Sequence, residues 1–411
     1  MSGSDRKRLS IIARCAQKDI KQKNAATILG ISIRQVKRLV HRYRLQGDRG
    51  VIHKTRGRRS HNSRPEQIKS KILSVYCRKY EGFGPTFAAE KLWEEHGLKI
   101  HGETLRLWLK GNNIPYPSRR ARPHRSWRQR KSHCGEMVQI DGSHHDWLEG
   151  RGEWLVLMAY IDDATNRVFA RFYQSEETYS ALDSFTRYIR KHGLPCSLYL
   201  DRHSVYKAQR RPLEITEQLE GLDEPLSNFQ RAAKELGVEV IHAYSPQAKG
   251  RVERLFKTLQ DRLVKELRLK NICSKDDANS FLQKYLVRYN RQFRAPVENI
   301  TDLHRKIPPG LDLRRILCLK EQRTIKNDFT ISFRGKQYQI QDRVKSKMVT
   351  VEVWLDSSIH FVCDGKELRL KQLPERISEQ IEGAGKSHPE ISYQKPPKHH
   401  PWRQPFLLKT T

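Results

Sequence analysis

The feature that most constrains this chain lies between residues 136 and 244, where three apolar runs follow one another and then give way to an alternation of helix and strand. The runs are MVQIDGS, EWLVLMAYIDDATN and RVFARFYQS, with Asn166 and Arg167 making a tight turn between the last two. After them come the amphipathic segment TYSALDSFTRYIRKHG, ending on Gly193, the strand-like CSLYLD, the helical NFQRAAKELG and the strand-like VEVIHAY. Three successive strands, and then strand and helix in alternation, argue for a mixed sheet sandwiched by helices. At 411 residues the chain also exceeds the size at which a single core stops growing, so further domains flank this one.

Acids that terminate buried strands are the candidates for chemistry, because an open sheet delivers them to its edge. Asp141 closes MVQID and Asp201 closes SLYLD. The two approach one another if the first strand is central and the fourth lies beside it. Taken singly, each also fits a turn, and Asp-Gly in IDGS is a common turn signal. A third acid comes from SPQAKGRVERLFKTLQDRLVKELRLK, residues 245–270, where Val252, Leu255, Leu259 and Leu263 form the stripe of a helix that packs on the sheet. Glu253, Lys257 and Gln260 share the adjacent face. Glu253 can also be read as a helix-start charge held by the dipole, worth at most about 1 kcal/mol. Three crowded carboxylates repel unless cations lie between them, and hard oxygen ligands suit Mg²⁺ or Mn²⁺. Asp162 and Asp163 read as turn-formers, and Tyr206 as a packing residue. His144, His145 and Asp146 fit either a contact near the site or a structural role. Glu214, Glu217, Glu220 and Glu224 are rivals for the third acid, but none follows a glycine-led helix start beside a buried stripe.

Charge identifies the partner class. Lys and Arg number 79 against 46 acids, for a formal charge of +33, which attracts phosphate backbones. Residues 1–60 supply a reader: Ala25, Ala26 and Leu29 line a short helix, Gly30 turns the chain, and Ser32 caps a second helix with Gln35 at the capping-box spacing. Val36, Leu39, Val40 and Tyr43 fill one face of that helix, leaving Arg34, Gln35, Lys37, Arg38 and Arg42 for the major groove of double-stranded DNA. A basic solvated helix in a small bundle is the alternative. Arg56 and Arg58 continue the basic character. Residues 61–118 suggest a second helix-turn-helix, with Ile68, Ile72, Val75, Leu92, Trp93, Leu105, Trp108 and Leu109 inward, or else a structural bundle. The linker 119–133 carries Arg119, Arg120, Arg122, Arg125, Arg128 and Arg130 and no acid before Cys134, and is expected to lie along DNA, as are Lys249, Arg251, Arg254 and Lys257.

Beyond the core at 134–270, residues 271–317 read as a helical connector. Residues 318–374 alternate apolar and polar around an Arg-Gly and an Asp-Gly turn, which suits a small all-β barrel of SH3-like size. Residues 375–411 form a Pro-rich basic tail expected to be extended. Seven cysteines without a C-x-x-C pair signal neither a disulfide framework nor zinc, and no apolar run is long enough to span a bilayer, so a cytoplasmic location is expected.

The motifs VQIDGSHHDWLEG, YIDDATNRVFARFY, LYLDRHSVY and YSPQAKGRVERLFKTLQDRL resemble the catalytic core of the retroviral-integrase superfamily of DDE transposases. The domain order is similar to bacterial insertion-sequence transposases, most closely the ISNCY group, and the similarity runs over about residues 10–375. The resemblance implies an RNase H-like α/β core. It implies that Asp141, Asp201 and Glu253 bind two Mg²⁺ or Mn²⁺ ions, Asp141 bridging both. Cleavage of element ends and joining of the 3′-hydroxyl to target DNA by transesterification follow, in a dimer or larger synaptic assembly. The segment between Asp201 and Glu253 is longer than the superfamily usually has, and residues near 208–227 look inserted. A DNA-binding regulator without activity, or a nuclease that hydrolyses without joining, are the competing functions.

Overall fold

The structure is a computed structural model that describes residues 3–53, 56–57, 64–118, 129–201, 203, 205–207, 213, 218, 222, 224–242 and 250–374. It divides into two compact units, Met1–Arg122 and Pro123–Thr411.

The first unit is all helical. Helices α1 (Gly3–Ala16), α2 (Gln22–Leu29) and α3 (Ile33–Gln46) enclose Ile12, Cys15, Ala25, Ala26, Val36, Leu39 and Val40. Gly30 ends α2 in the left-handed conformation, φ 63°, and its N–H donates to the carbonyls of Ala26 and Thr27. The Ser32 side chain accepts from the Gln35 N–H at 3.2 Å and starts α3. A second group follows: α4 (Glu66–Lys79), α5 (Pro85–His96) and α6 (Gly102–Gly111). Tyr76, Tyr80, Phe83, Phe87, Leu92, Leu105 and Leu109 are buried in it, and the Tyr76 hydroxyl donates to the Phe83 carbonyl at 2.8 Å. Trp93, expected inward, is 55% exposed, because the neighbouring Leu92 takes the inward position on α5.

The second unit is built on a five-stranded sheet in the order β3-β2-β1-β4-β5, from β1 (Met137–His145), β2 (Leu155–Asp162), β3 (Val168–Tyr173), β4 (Ser197–Leu200) and β5 (Glu239–His242). β1–β3 form an antiparallel meander, and β4 and β5 add in parallel. Helices α7 (Thr178–His192) and α8 (Asn228–Glu235) cover one face, where Val138, Ile140, Met158 and Tyr160 meet Phe185, Tyr188 and Phe229. Helices α9 (Gly250–Leu269) and α10 (Lys275–Phe293) cover the other, where Leu157, Ala159 and Ile161 meet Leu255, Leu259, Leu263 and Leu286. Every residue of β2 is buried, which is why its sequence is an uninterrupted apolar run.

Two expectations are corrected here. β1 does not end at Asp141: it stays paired with β2 as far as His145↔Leu155, so Asp-Gly lies inside a strand and makes no turn. Helix α10, expected as a connector, is a layer of the core. Its Asn279 side chain accepts from the Phe172 N–H at 2.8 Å and donates to the Phe172 carbonyl at 3.1 Å, and Asn290 does the same for Val168 at 2.8 Å each way. The outer edge of β3 is thereby satisfied by side chains instead of a further strand.

After the short α11 (Leu313–Ile316), strands β6 (Leu319–Thr324), β7 (Thr330–Phe333), β8 (Lys336–Ile340), β9 (Met348–Val353), β10 (Ile359–Cys363), β11 (Lys366–Glu367) and β12 (Leu370–Gln372) follow. They form two antiparallel sheets, β11-β10-β9-β6 and β12-β8-β7, around a shared core of Ile331, Phe333, Val349, Val351 and Phe361, where a single barrel was expected. The Arg334–Gly335 and Asp364–Gly365 turns have positive φ at both residues, as two-residue hairpins require.

Candidate active site

The register of the sheet sets the first two acids. Met137, Val138 and Gln139 pair in parallel with Ser197, Leu198 and Tyr199, and continuing that register by two places aligns Asp141 with Asp201. β4 stops at Leu200, so both acids lie just past the end of the parallel ladder, and both are half-buried. Asp201 is held by its own loop and by the next strand. Its carboxylate accepts from the His203 N–H at 3.0 Å, and its carbonyl lies 3.0 Å from Nδ1 of His242. Nε2 of His242 meets the Gln230 side chain at 3.1 Å, and Gln230 belongs to the capping box that Ser227 forms at the start of α8. With Gln230 Nε2 as the donor there, Nδ1 is left to donate to the Asp201 carbonyl.

The third acid rides on α9, which is bracketed against β1 at two levels. Near its start, Arg251 pairs with Asp163, whose Oδ1 also accepts from Gln139 Nε2 at 2.8 Å. Farther along, Gln260 Nε2 donates to Ser143 Oγ at 3.2 Å. Gln139, Asp141 and Ser143 alternate onto the α9 face of β1, so Asp141 falls between the two brackets. Glu253 and Gln260 are two turns apart and share one flank of the helix at about 100° per residue, beside the buried stripe of Val252, Leu255, Leu259 and Leu263. Glu253 therefore emerges on the flank whose far end touches Ser143. Its side chain is 46% exposed and lies 3.9 Å from Lys257 Nζ.

The remaining acids sort by burial. Asp162 is buried and accepts from the Thr165 N–H and hydroxyl and from the Gly135 N–H, closing the β2–β3 turn. Asp163 is fully buried and accepts from the Lys131 N–H at 2.9 Å besides its partners on β1 and α9. Asp146 caps Gly150, His144 stacks on Trp154 and His145 meets Trp147 edge-on. Glu224 pairs with Lys207 at 2.7 Å. Tyr206 is fully buried against Phe229, as a packing residue should be, and burial, reinforced by nearby Glu176, raises its pKa well above the ordinary value.

Three expected DNA contacts have structural partners instead. Arg251 is nine-tenths covered by its pairing with Asp163. Arg130 donates to the Asp163 carbonyl at 3.2 Å and to Asn166 Oδ1 at 2.7 Å, tying the linker to the β2–β3 turn. Arg56 pairs with the buried Asp5. Net charge told the number of guanidinium groups but not which of them the fold consumes. Arg34, Gln35, Lys37 and Arg38 are exposed on α3 with Arg42 half-buried, and Arg254 and Lys257 are exposed on α9. Arg58, Arg119, Arg120, Arg122, Arg125, Arg128 and Lys249 lie outside the described residues, as do Glu214, Glu217 and Glu220, most of the insertion and the tail. Sequence reading missed the holding roles of Asp163, Gln230 and His242.

Residues 7–60 match the helix-turn-helix domain family HTH_28. The protein y4bF of Sinorhizobium fredii, named as a transposase, is 38% identical over 344 residues, which cover 83% of this chain and 74% of that one. This chain belongs to the transposase family. The transposase for insertion sequence IS1202 of Streptococcus pneumoniae is 26% identical over 445 residues, covering 97% of this chain and 93% of its relative. Among solved structures, a simian T-cell lymphotropic virus intasome in complex with a PP2A regulatory subunit overlaps 72% of the chain and 98% of its own at 15% identity and a TM-score of 0.34. The HTLV-2 integrase catalytic core domain in complex with magnesium overlaps 38% of the chain and 85% of its own at 16% identity and a TM-score of 0.28. Membership therefore rests on the two sequence relatives. The chain is a DNA transposase with a helix-turn-helix domain, and none of its described helices is long and apolar enough to cross a membrane.

Proposed function

We propose that this transposase recognises the terminal inverted repeats of its element with α3, cleaves the DNA at those ends, and joins the 3′-hydroxyl to target DNA. The observation that supports the reading is the register that aligns Asp141 with Asp201 at the end of one parallel ladder, beside the flanking helix that carries Glu253. The donor set is carboxylate oxygen alone, at a half-open sheet edge, which fits Mg²⁺ or Mn²⁺ rather than a soft metal. Asp141, Asp201 and Glu253 would hold two such ions. When bound, the ions supply Lewis acidity to the attacking and leaving oxygens of a phosphoryl displacement. The chain's own part is positional: His242 and Gln230 fix the Asp201 loop, and the Arg251 and Gln260 brackets fix the helix that carries Glu253. Exposed Arg254 and Lys257 beside Glu253 draw the DNA backbone to the carboxylates. Two ends must meet for joining, so the working unit is a homodimer or larger assembly on double-stranded DNA.

The test is strand cleavage and transfer by the full chain on oligonucleotides carrying the element's ends, with Mg²⁺ supplied. Asp141→Asn, Asp201→Asn and Glu253→Gln should each lower the rate by about 100-fold or more, several kcal/mol of transition-state stabilisation, while end binding persists. Full activity in folded Glu253→Gln would remove it from the site. Binding without any cleavage by the native chain would favour a regulator.

A further inference from the structure

A fourth acid reaches the same sheet edge. Gly142 follows Asp141 on β1 and alternates onto the opposite face, toward α7. A side chain there has no room: a Cβ on Gly142 would lie 2.2 Å from Oε2 of Glu176 and 2.5 Å from its Cδ. The Glu176 carboxylate thus rests against the backbone of the residue next to Asp141, in a space that exists because position 142 is glycine. Glu176 lies between β3 and α7, elements that carry none of the other three acids.

A second observation bears on the same place. Tyr206 is fully buried, yet its hydroxyl has no hydrogen-bond partner among the described residues. The charges that act on it, after burial itself, are led by Glu176 and include Asp141 and Asp201. The Tyr206 hydroxyl therefore lies in the field of three carboxylates from three elements and has no acceptor among the described residues. A buried hydroxyl is rarely left so, and a hydrated cation held among these carboxylates would bring water oxygens to it.

We propose that Glu176 is a fourth carboxylate of the divalent-cation site, admitted to it by the absence of a side chain at Gly142. The inference rests on the reading that Asp141, Asp201 and Glu253 hold divalent cations. It extends that reading to the opposite face of β1, so that the cation site straddles the strand. Glu176 acts there as a positioning and charge-balancing group for the ions.

The experiment measures Mn²⁺ alone binding to the full chain, by titration calorimetry and by the electron paramagnetic resonance of free Mn²⁺. Glu176→Gln keeps the side-chain volume and removes the charge; it should weaken Mn²⁺ binding about tenfold and raise the Mg²⁺ concentration for half-maximal cleavage similarly. Gly142→Ala pushes a methyl group into the carboxylate and should weaken Mn²⁺ binding in the same direction. Glu176→Gln, shown to be folded by circular dichroism, should bind end DNA in chelator as the native chain does. If Asp141→Asn abolishes Mn²⁺ binding while Glu176→Gln and Gly142→Ala leave it unchanged, Glu176 is not part of the site. If Asp141→Asn and Glu253→Gln also leave Mn²⁺ binding intact, the metal reading itself falls along with the proposal.

Discussion

Asp163 and Asp141 are both acids of the sheet edge, and removing each should affect stability differently. Asp163 is fully buried, and its carboxylate joins three elements: the Lys131 N–H ahead of β1, Gln139 on β1 and Arg251 in the first turn of α9. Asp163→Ala withdraws the acid partner from a guanidinium whose side chain is only 12% exposed. It also strips the Gln139 amide, whose Oε1 already has no partner among the described residues, of the acceptor for its Nε2. Breaking one side of a buried ion pair costs about 3–5 kcal/mol. For a unit of this size that is a fall in melting temperature on the order of 10 °C, read by circular dichroism on the full chain. Because Arg251 lies two residues before Glu253, the same substitution should slow strand transfer on the order of 100-fold through misplacement of α9. Asp141→Asn, by contrast, relieves repulsion among carboxylates and should leave metal-free melting unchanged or raised while activity is lost. If Asp163→Ala melts within about 2 °C of the native chain, less than 1 kcal/mol, the bracket does not hold α9 and the reasoning is wrong.

Two further outcomes can be checked on the same protein. Asn279→Ala and Asn290→Ala each uncover an N–H and a carbonyl of the β3 edge and should cost about 1–3 kcal/mol; hydrogen exchange at Phe172 and Val168 should quicken, and unchanged exchange would show that the edge is protected some other way. His192 has its pKa pushed from 6.5 down to about 3, first by burial and then by Arg167, Lys191 and His304, with Asp302 opposing. A folded pKa below the unfolded value means that the contribution is present above about pH 6.5 and is lost as pH falls toward 3. The slope is up to about 1.4 kcal/mol per pH unit, and His192→Gln should flatten the acid limb of the melting profile.

How much of this was legible depends on the range of each interaction. The stripe of α9 and the flank bearing Glu253 follow from helical geometry alone, and the run in β2 from burial on both faces, so both could be read locally. Asp141 was half legible. Its place on a buried strand was plain, but Asp-Gly suggested a turn, whereas Gly142 is there because a carboxylate from beyond β3 needs the space. A glycine inside a strand marks close approach as often as it marks a bend, and only the fold says what approaches. Glu176 had no signal of its own, standing beside Glu177 in a polar turn. Asn279 and Asn290 carried one that goes unnoticed: three helical turns span about 11 residues, so both recur on the face otherwise reserved for the core, where an amide must have a backbone to satisfy. The arginines were the least legible. Arg251 and Arg254 look alike in a basic helix and lie only one turn apart on it. One is consumed by an acid 88 positions away and the other is left exposed to solvent. Charge composition counts such groups; the fold decides which of them face solvent, and that choice, rather than the total, shapes the field around the carboxylates.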